Sequence, residues 1–321
     1  MYNEIRLEKS LYSIGGKTFT QALTALDPDE NYQGTELSSL DAFERQLKRF
    51  DIKVSGENCD RVEKFFTTAE TAVLFPEYVR RAIKQGMDNA SILPYITAAV
   101  GYTDGIDFRG LTITSDDMTT TAQGGALPET TCALASSATE VKKFGRKLSC
   151  TYESIRKQRI EALTVVLKNV GASIARHINL EAVNVLSQGA KTSSIAGATV
   201  TYSDLAAFWA SLPQYDMTTI ITSPAVMADI LALDEMKYCV NDFMASGRVV
   251  TPYGVTIVKC SNLDGDKLIG LDNTCALESV FATDVIVDFD KLMSTQCEEI
   301  ACSVMVGFSK VASDAVAVMN A

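Results

Sequence analysis

Eight cysteines and one histidine limit the chemistry open to this 321-residue chain. The thiols are Cys59, Cys132, Cys150, Cys239, Cys260, Cys275, Cys297 and Cys302. No two form a C-x-x-C pair, so the ligand spacing of a zinc site is absent. A Cys-His nucleophile pair, such as Cys297 with His177, has the right residue types. His177 lies in SIARHINL, with no local nucleophile signature beside it, and reads as an ordinary helix histidine. No G-x-S-x-G elbow and no G-x-x-x-x-G-K phosphate loop occurs. The adjacent carboxylates Asp116-Asp117 and Glu298-Glu299 read as solvated or interfacial. Phe208 and Trp209, beside Leu205 and Leu212, read as core. No catalytic, cofactor-binding or metal-binding residue is assigned, and the thiols read as the scattered, reduced cysteines of an intracellular chain.

Charge gives a sharper signal. Lys142, Lys143, Arg146, Lys147, Arg156, Lys157 and Arg159 crowd into one short segment. Its plain reading is a solvated face; its functional reading is a docking surface for acidic segments of another subunit. Arg156, Lys157 and Arg159 are expected in the first turns of a long helix, where the helix dipole opposes positive charge. Something should compensate, and Asp116 and Asp117 are the candidates. They belong to the stretch 101–140, which has nine threonines, one basic residue (Arg109) and no lysine. Such a segment buries too little apolar surface to offset its ordering entropy alone. A loop this long is uncommon inside a compact domain, so a neighbouring copy is expected to order it. Nucleic-acid recognition fits poorly, because 29 basic against 40 acidic residues leave a net charge of −11.

The length suggests about two domains. The first residues, MYNEIRLEKS, lack a signal peptide's apolar core, and no apolar run reaches membrane-spanning length. A soluble, cytoplasmically made chain is expected.

Residues 1–66 read as an arm with one amphipathic helix in SSLDAFERQLKRF. Ser38 and Asp41 suggest its capping box. Leu40, Phe43, Leu47 and Phe50 line one face and need a partner surface, which makes Phe43, Leu47 and Phe50 candidate assembly contacts. A helix follows from about Pro76 to Gln85, with Gly86 as its stop. Leu111 and Ile113 alternate with threonines as a strand, and Gly124-Gly125 marks a tip. Phe144, Leu148, Cys150 and Tyr152 share one parity of a half-buried strand. That strand feeds a helix expected to run unbroken from Glu153 to Gln188, about 54 Å at 1.5 Å per residue. Gly171 is a possible kink and Gly189 its stop. From 201 to 283, short alternating elements follow: the helix SDLAAFWASL, the strand MTTIIT, a helix opened by Ser223-Pro224, and the strands GVTIVKC, KLIGL and ALESVFA. DVIVDFD, EEIACSVMVGFSKV and DAVAVM then read as returning strands.

This order resembles the major capsid proteins of tailed bacteriophages, the Hong Kong 97-type α+β fold. TTAETAVLFPEYVRRAI, EVKKFGRKLSCTYESIRKQRIEAL, MTTIITSPAVMADILAL, VVTPYGVTIVKC and DAVAVM carry the resemblance over residues 65–321. It implies an N-terminal arm (1–66), a lead-in helix segment (67–100) and an extended loop (101–140). It further implies a peripheral domain with a spine helix (141–200), an axial domain (201–283) and returning peripheral strands (284–321). The implied function is a shell subunit that assembles with itself, as pentamers and hexamers, around double-stranded DNA without sequence-specific binding. Scaffolding and portal proteins are the implied partners, and the virion capsid, built in the host bacterial cytoplasm, is the implied location. Some members weld subunits through a loop lysine. The lysine-free loop here implies a shell without such bonds. An encapsulin-type nanocompartment shell remains the alternative, and an α/β enzyme a weaker one.

Overall fold

The computed structural model describes residues 5–115, 120–195, 197, 199–239, 243–244, 248–263 and 265–321. The chain forms two compact units, whose boundaries fall inside continuous elements. One comprises residues 1–89, 145–173 and 285–303; the other comprises 90–144, 174–284 and 304–321.

The N-terminal segment, expected to hold one helix, holds two α-helices. Helix α1 (Phe19–Leu26) starts at a capping box between Thr18 and Gln21. Helix α2 (Ala42–Arg49) starts at one between Asp41 and Glu44, three residues later than the Ser38–Asp41 pairing suggested. Asp41 takes the cap because Glu44 can reach back to its backbone N–H. Between these helices lies a buried ion pair. The Arg45 guanidinium, wholly buried, donates from Nε to Asp27 Oδ2 at 3.0 Å and from NH2 to the Asp27 carbonyl at 2.7 Å. It also donates to the Leu40 carbonyl at 2.6 Å and to Asp29 at 2.8 Å, and lies over the Tyr32 ring.

Helix α3 (Ala69–Ala90) begins seven residues before Pro76 and runs through it. Thr68 accepts from the Thr71 N–H at 3.1 Å and caps the start. Proline opens the ladder one residue before Glu77. The Tyr12 hydroxyl fills the opening: it donates to the Val73 carbonyl at 2.8 Å and accepts from the Glu77 N–H at 3.1 Å. Gly86 does not end the helix either. A Cβ there would overlap the backbone of Lys168.

The buried Glu77 carboxylate accepts from Thr20 at 2.7 Å, and from Arg80 and Arg81 at 2.8 and 2.9 Å. Burial pushes its carboxyl up, but the hydrogen bonds from Arg80 and Thr20 and the nearby positive charge outweigh it, leaving Glu77 below its ordinary 4.5. A carboxylate held low in the fold stabilises it above the unfolded pKa, and that contribution is lost as pH falls through the depressed value. Denaturant midpoints of Glu77→Gln should therefore lie below those of the unmodified chain at neutral pH. The gap should narrow as pH falls through and below the carboxylate range. A gap independent of pH would refute this.

After the short α4 (Leu93–Ile96) come strands β1 (Ala99–Tyr102), β2 (Asp107–Phe108), β3 (Leu111–Ser115), β4 (Thr130–Leu134) and β5 (Thr139–Glu140). Strand β6 (Lys142–Thr151) follows, with Phe144, Leu148 and Cys150 half-buried as alternation required. It ends at Thr151, which caps α5 (Tyr152–Lys157). The expected single rod is broken: Gln158 is extended, and α6 (Ile160–Ser187) starts afresh. At 28 residues α6 is about 42 Å long. The break is held from outside the helix. Val62 N–H donates to the Gln158 carbonyl at 3.0 Å, and Ile160 N–H to the Asp60 carbonyl at 2.9 Å. Gly171 serves close approach rather than a kink, since a Cβ there would overlap the Ile83 carbonyl of α3.

The remaining elements are β7 (Lys191–Ser194), α7 (Tyr202–Trp209), β8 (Thr219–Thr222), α8 (Pro224–Ala232), β9 (Val249–Val250), β10 (Thr256–Lys259), β11 (Lys267–Leu271), β12 (Leu277–Leu292), β13 (Cys297–Lys310) and β14 (Val316–Asn320). Gly189 turns the chain after α6 with φ +66°. Ser223 caps α8. ALESVFA and DVIVDFD form one sixteen-residue strand rather than two. The long strands make a sheet in the order β1-β12-β13-β6, and the shorter ones a sheet β7-β14-β11-β8-β10-β9. Strand β14 thus pairs with β11 and β7, not with the other returning strands. Its consecutive residues Val316–Met319 are all buried, as expected of an interior strand. Leu205, Phe208, Ile220, Ile230, Val255 and Leu268 fill the core beside this sheet.

Candidate assembly surfaces

The stretch 101–140 is built as two small antiparallel ribbons. Asp107 and Phe108 pair with Glu140 and Thr139 at its base. Two glycines let the base close: a Cβ at Gly307 would crowd Phe108 and the Glu140 carbonyl, and one at Gly110 would overlap Ser309. Farther out, β3 and β4 pair Leu111 with Leu134 and Ile113 with Cys132. Thr112 with Ala133 and Thr114 with Thr131 occupy the opposite face. The ribbon is therefore amphipathic, yet its apolar side is open: Leu111, Ile113 and Leu134 are 47, 45 and 62% exposed. A two-stranded ribbon is marginally stable in water by itself. Asp116 and Asp117 lie outside the described residues.

The arm stripe finds its partner within the chain. Phe43 and Leu47 are buried, with Arg81 over the Phe43 ring, and Phe50 is half-buried under Arg49. Above them a cavity of about 430 Å³ is bounded by Tyr78, Ala82 and Val165. A lone amphipathic stripe in a sequence does not tell whether its own chain or another covers it.

The basic cluster is also largely answered internally. Lys142 pairs with Glu181 at 2.7 Å, and Lys147 with Glu299 at 2.8 Å. Arg156 lies 3.4 Å from Glu298, a carboxylate only 6% exposed that Lys291 also approaches at 3.8 Å. Arg146 donates to the Ser173 hydroxyl. Glu298 and Glu299 are thus committed partners rather than solvated carboxylates. The dipole argument also changes sign. Arg156 and Lys157 form the last turn of α5, where positive charge is favourable, because the helix breaks after them. Lys157 and Arg159 remain exposed, the latter donating to the Glu57 carbonyl at 2.6 Å.

Trp209 departs from the core reading. Phe208 is buried, but Trp209 is largely exposed, 5.4 Å from the Tyr253 ring. Successive helix residues point about 100° apart, which leaves Trp209 at the edge of the face that Phe208 buries. Trp209, Tyr95, Arg248 and Tyr253 border a cavity of about 560 Å³. His177 is exposed on α6. Among the described residues, no group of three or more His, Cys, Asp or Glu could hold a metal ion. No helix among them is long and apolar enough to cross a membrane.

Residues 134–291 match the family model of a phage capsid protein. No curated protein matches in sequence. Among solved structures, the virus-like particle from Pyrococcus furiosus is similar at 16% identity and a TM-score of 0.56, over 77% of this chain and 99% of that one. Gordonia phage Cozz aligns at 13% identity and a TM-score of 0.52, over 72% and 86% of the two chains. Microbacterium phage Oxtober96 aligns at 11% identity and a TM-score of 0.51, over 72% and 91%. Those likenesses carry the fold, an α+β fold of the Hong Kong 97 capsid type, and the family-model match spans residues 134–291 of the chain.

Proposed function

We propose that copies of this chain tile the icosahedral head shell of a tailed phage or prophage, as pentamers and hexamers, around double-stranded DNA. Assembly takes place in the host bacterial cytoplasm, with separate scaffolding and portal proteins as partners. The observation that carries this reading is the open amphipathic ribbon on a chain whose residues 134–291 match a phage capsid family model. An isolated subunit leaves that face in water, whereas a shell covers it in every copy. A net charge of −11 suits a wall that must hold DNA without gripping it.

Expression with its scaffold should yield closed particles by negative-stain microscopy. Nuclease-protected DNA inside phage-derived particles would support the head reading, and a protein cargo instead would favour a nanocompartment. Boiled in denaturant and reductant, particles should run as one subunit band, because the loop from Gly101 to Glu140 contains no lysine. A ladder would show covalent linkage. A strictly monomeric sample at all concentrations would overturn the shell reading.

A further inference from the structure

The cavity bordered by Trp209 lies within one compact unit, where the ends of neighbouring strands meet. Thr219 opens β8, Thr256 opens β10, and Asn273 follows β11. At about 560 Å³ the cavity falls in the range of small-molecule sites. Three aromatic rings stand on its wall. The Trp209 indole is 43% exposed, and the Tyr253 ring beside it is backed by Tyr202 at 6.2 Å. The turn that carries Tyr253 is closed by the Gly254 N–H, which donates to the Thr251 carbonyl at 2.9 Å, with Gly254 at φ +88°. Tyr95 is pinned to β8, because its carbonyl accepts from the Thr219 hydroxyl at 3.0 Å. The polar groups are few and held in place. The Arg248 guanidinium lies over the Tyr95 ring, 5.2 Å from its centroid. A guanidinium over a ring meets acceptors along its N–H edge. Asn273 Oδ1 accepts from the Thr218 hydroxyl at 2.9 Å, which fixes the amide with its two N–H groups as donors. Among the described residues that line the cavity, Arg248 is the one cation and Asp216 the one carboxylate.

We propose that this cavity binds a nucleoside monophosphate. The base stacks on the exposed Trp209 ring, and the Asn273 amide and Thr256 hydroxyl meet its polar edge. Arg248 holds the phosphate, and Asp216 accepts from a sugar hydroxyl. The charges favour a free nucleotide over a strand. One guanidinium matches one phosphate, whereas a chain of net charge −11 repels a polyanion. Stacking tolerates any base, so discrimination among bases is expected to be weak. The proposal goes beyond the shell reading and does not depend on it.

Trp209 is the only tryptophan of the chain, so its fluorescence reports on this cavity alone. The full chain should be titrated with AMP and with adenosine, exciting the indole where adenine does not absorb. Saturable quenching is expected with AMP. Adenosine should bind about tenfold more weakly, near the low end of what a hydrogen bond to a charged group contributes. Arg248→Met, a change at an exposed position, should weaken AMP by that factor and leave adenosine unchanged. Quenching that rises linearly without saturation, as for a free tryptophan derivative, would overturn the site. Equal affinities for AMP and adenosine, or unaltered AMP binding by Arg248→Met, would overturn the phosphate contact and with it the nucleotide. A short single-stranded oligonucleotide that binds more tightly than AMP would overturn the free nucleotide in favour of a strand. Each of these outcomes leaves the shell reading intact, which particle formation tests separately.

Discussion

Gly171→Ala will destabilise the subunit by about 1–3 kcal/mol, at the upper end of overpacking costs because the obstructing atom is backbone. The sign is the informative part. In an ordinary helix interior the same change stabilises by about 1 kcal/mol, since alanine is the better helix former. Here a Cβ would overlap the Ile83 carbonyl, and one at Gly86 would overlap the backbone of Lys168. Each glycine lets one helix approach the backbone of the other, so α3 and α6 are locked by two reciprocal contacts. Chemical denaturation of Gly171→Ala and Gly86→Ala, with particle yield as a second readout, checks this. A rise in the midpoint for either variant would show that the helices can separate without loss.

Asp27→Ala should cost about 3–5 kcal/mol, the range for removing one partner of a buried ion pair. The carboxylate accepts from Arg45 at 3.0 Å and from the Tyr32 hydroxyl at 2.7 Å, and Arg45 has no solvent exposure. Truncation leaves a buried guanidinium with backbone carbonyls and Asp29 as its remaining partners. Asp27→Asn keeps the shape and one accepting oxygen for Arg45 while giving up the charge and the second acceptor, and should lose less. The expected order of denaturation midpoints is unmodified, then Asp27→Asn, then Asp27→Ala. Equal midpoints for all three would mean that the N-terminal layer does not fold cooperatively with the helices beneath it.

Local chemistry made several features legible in the sequence. Ser223-Pro224 opens α8, and Gly189 turns the chain after α6. The alternation of Ile300, Cys302, Val304, Val306 and Phe308 along β13 corresponds to buried positions. The misses share one cause: the deciding partner is distant in sequence. Nothing in ESIRKQRIEAL signals a break, because the groups that satisfy Gln158 and Ile160 come from Asp60 and Val62. Nothing around Pro76 predicts a continuous helix, because the hydroxyl that repairs it belongs to Tyr12. The carboxylate that answers Arg156 lies 142 residues away. At the candidate site, composition singled out the stretch 101–140. Strand register was needed to divide it into a threonine face and an aliphatic one.

The place of β14 has a consequence for synthesis. Residues Val316–Asn320 lie between β7 and β11, so the six-stranded sheet has a missing interior member until they arrive. A chain interrupted before Val316 leaves Lys191–Ser194 without its neighbour and one edge of Lys267–Leu271 bare. Pairings of such sequence separation form late and slowly. An interrupted chain is therefore expected to lose this sheet rather than to keep a nearly native one. The order of strands thus acts as an inspection step on synthesis, because the six-stranded sheet closes only once Val316–Asn320 has been made.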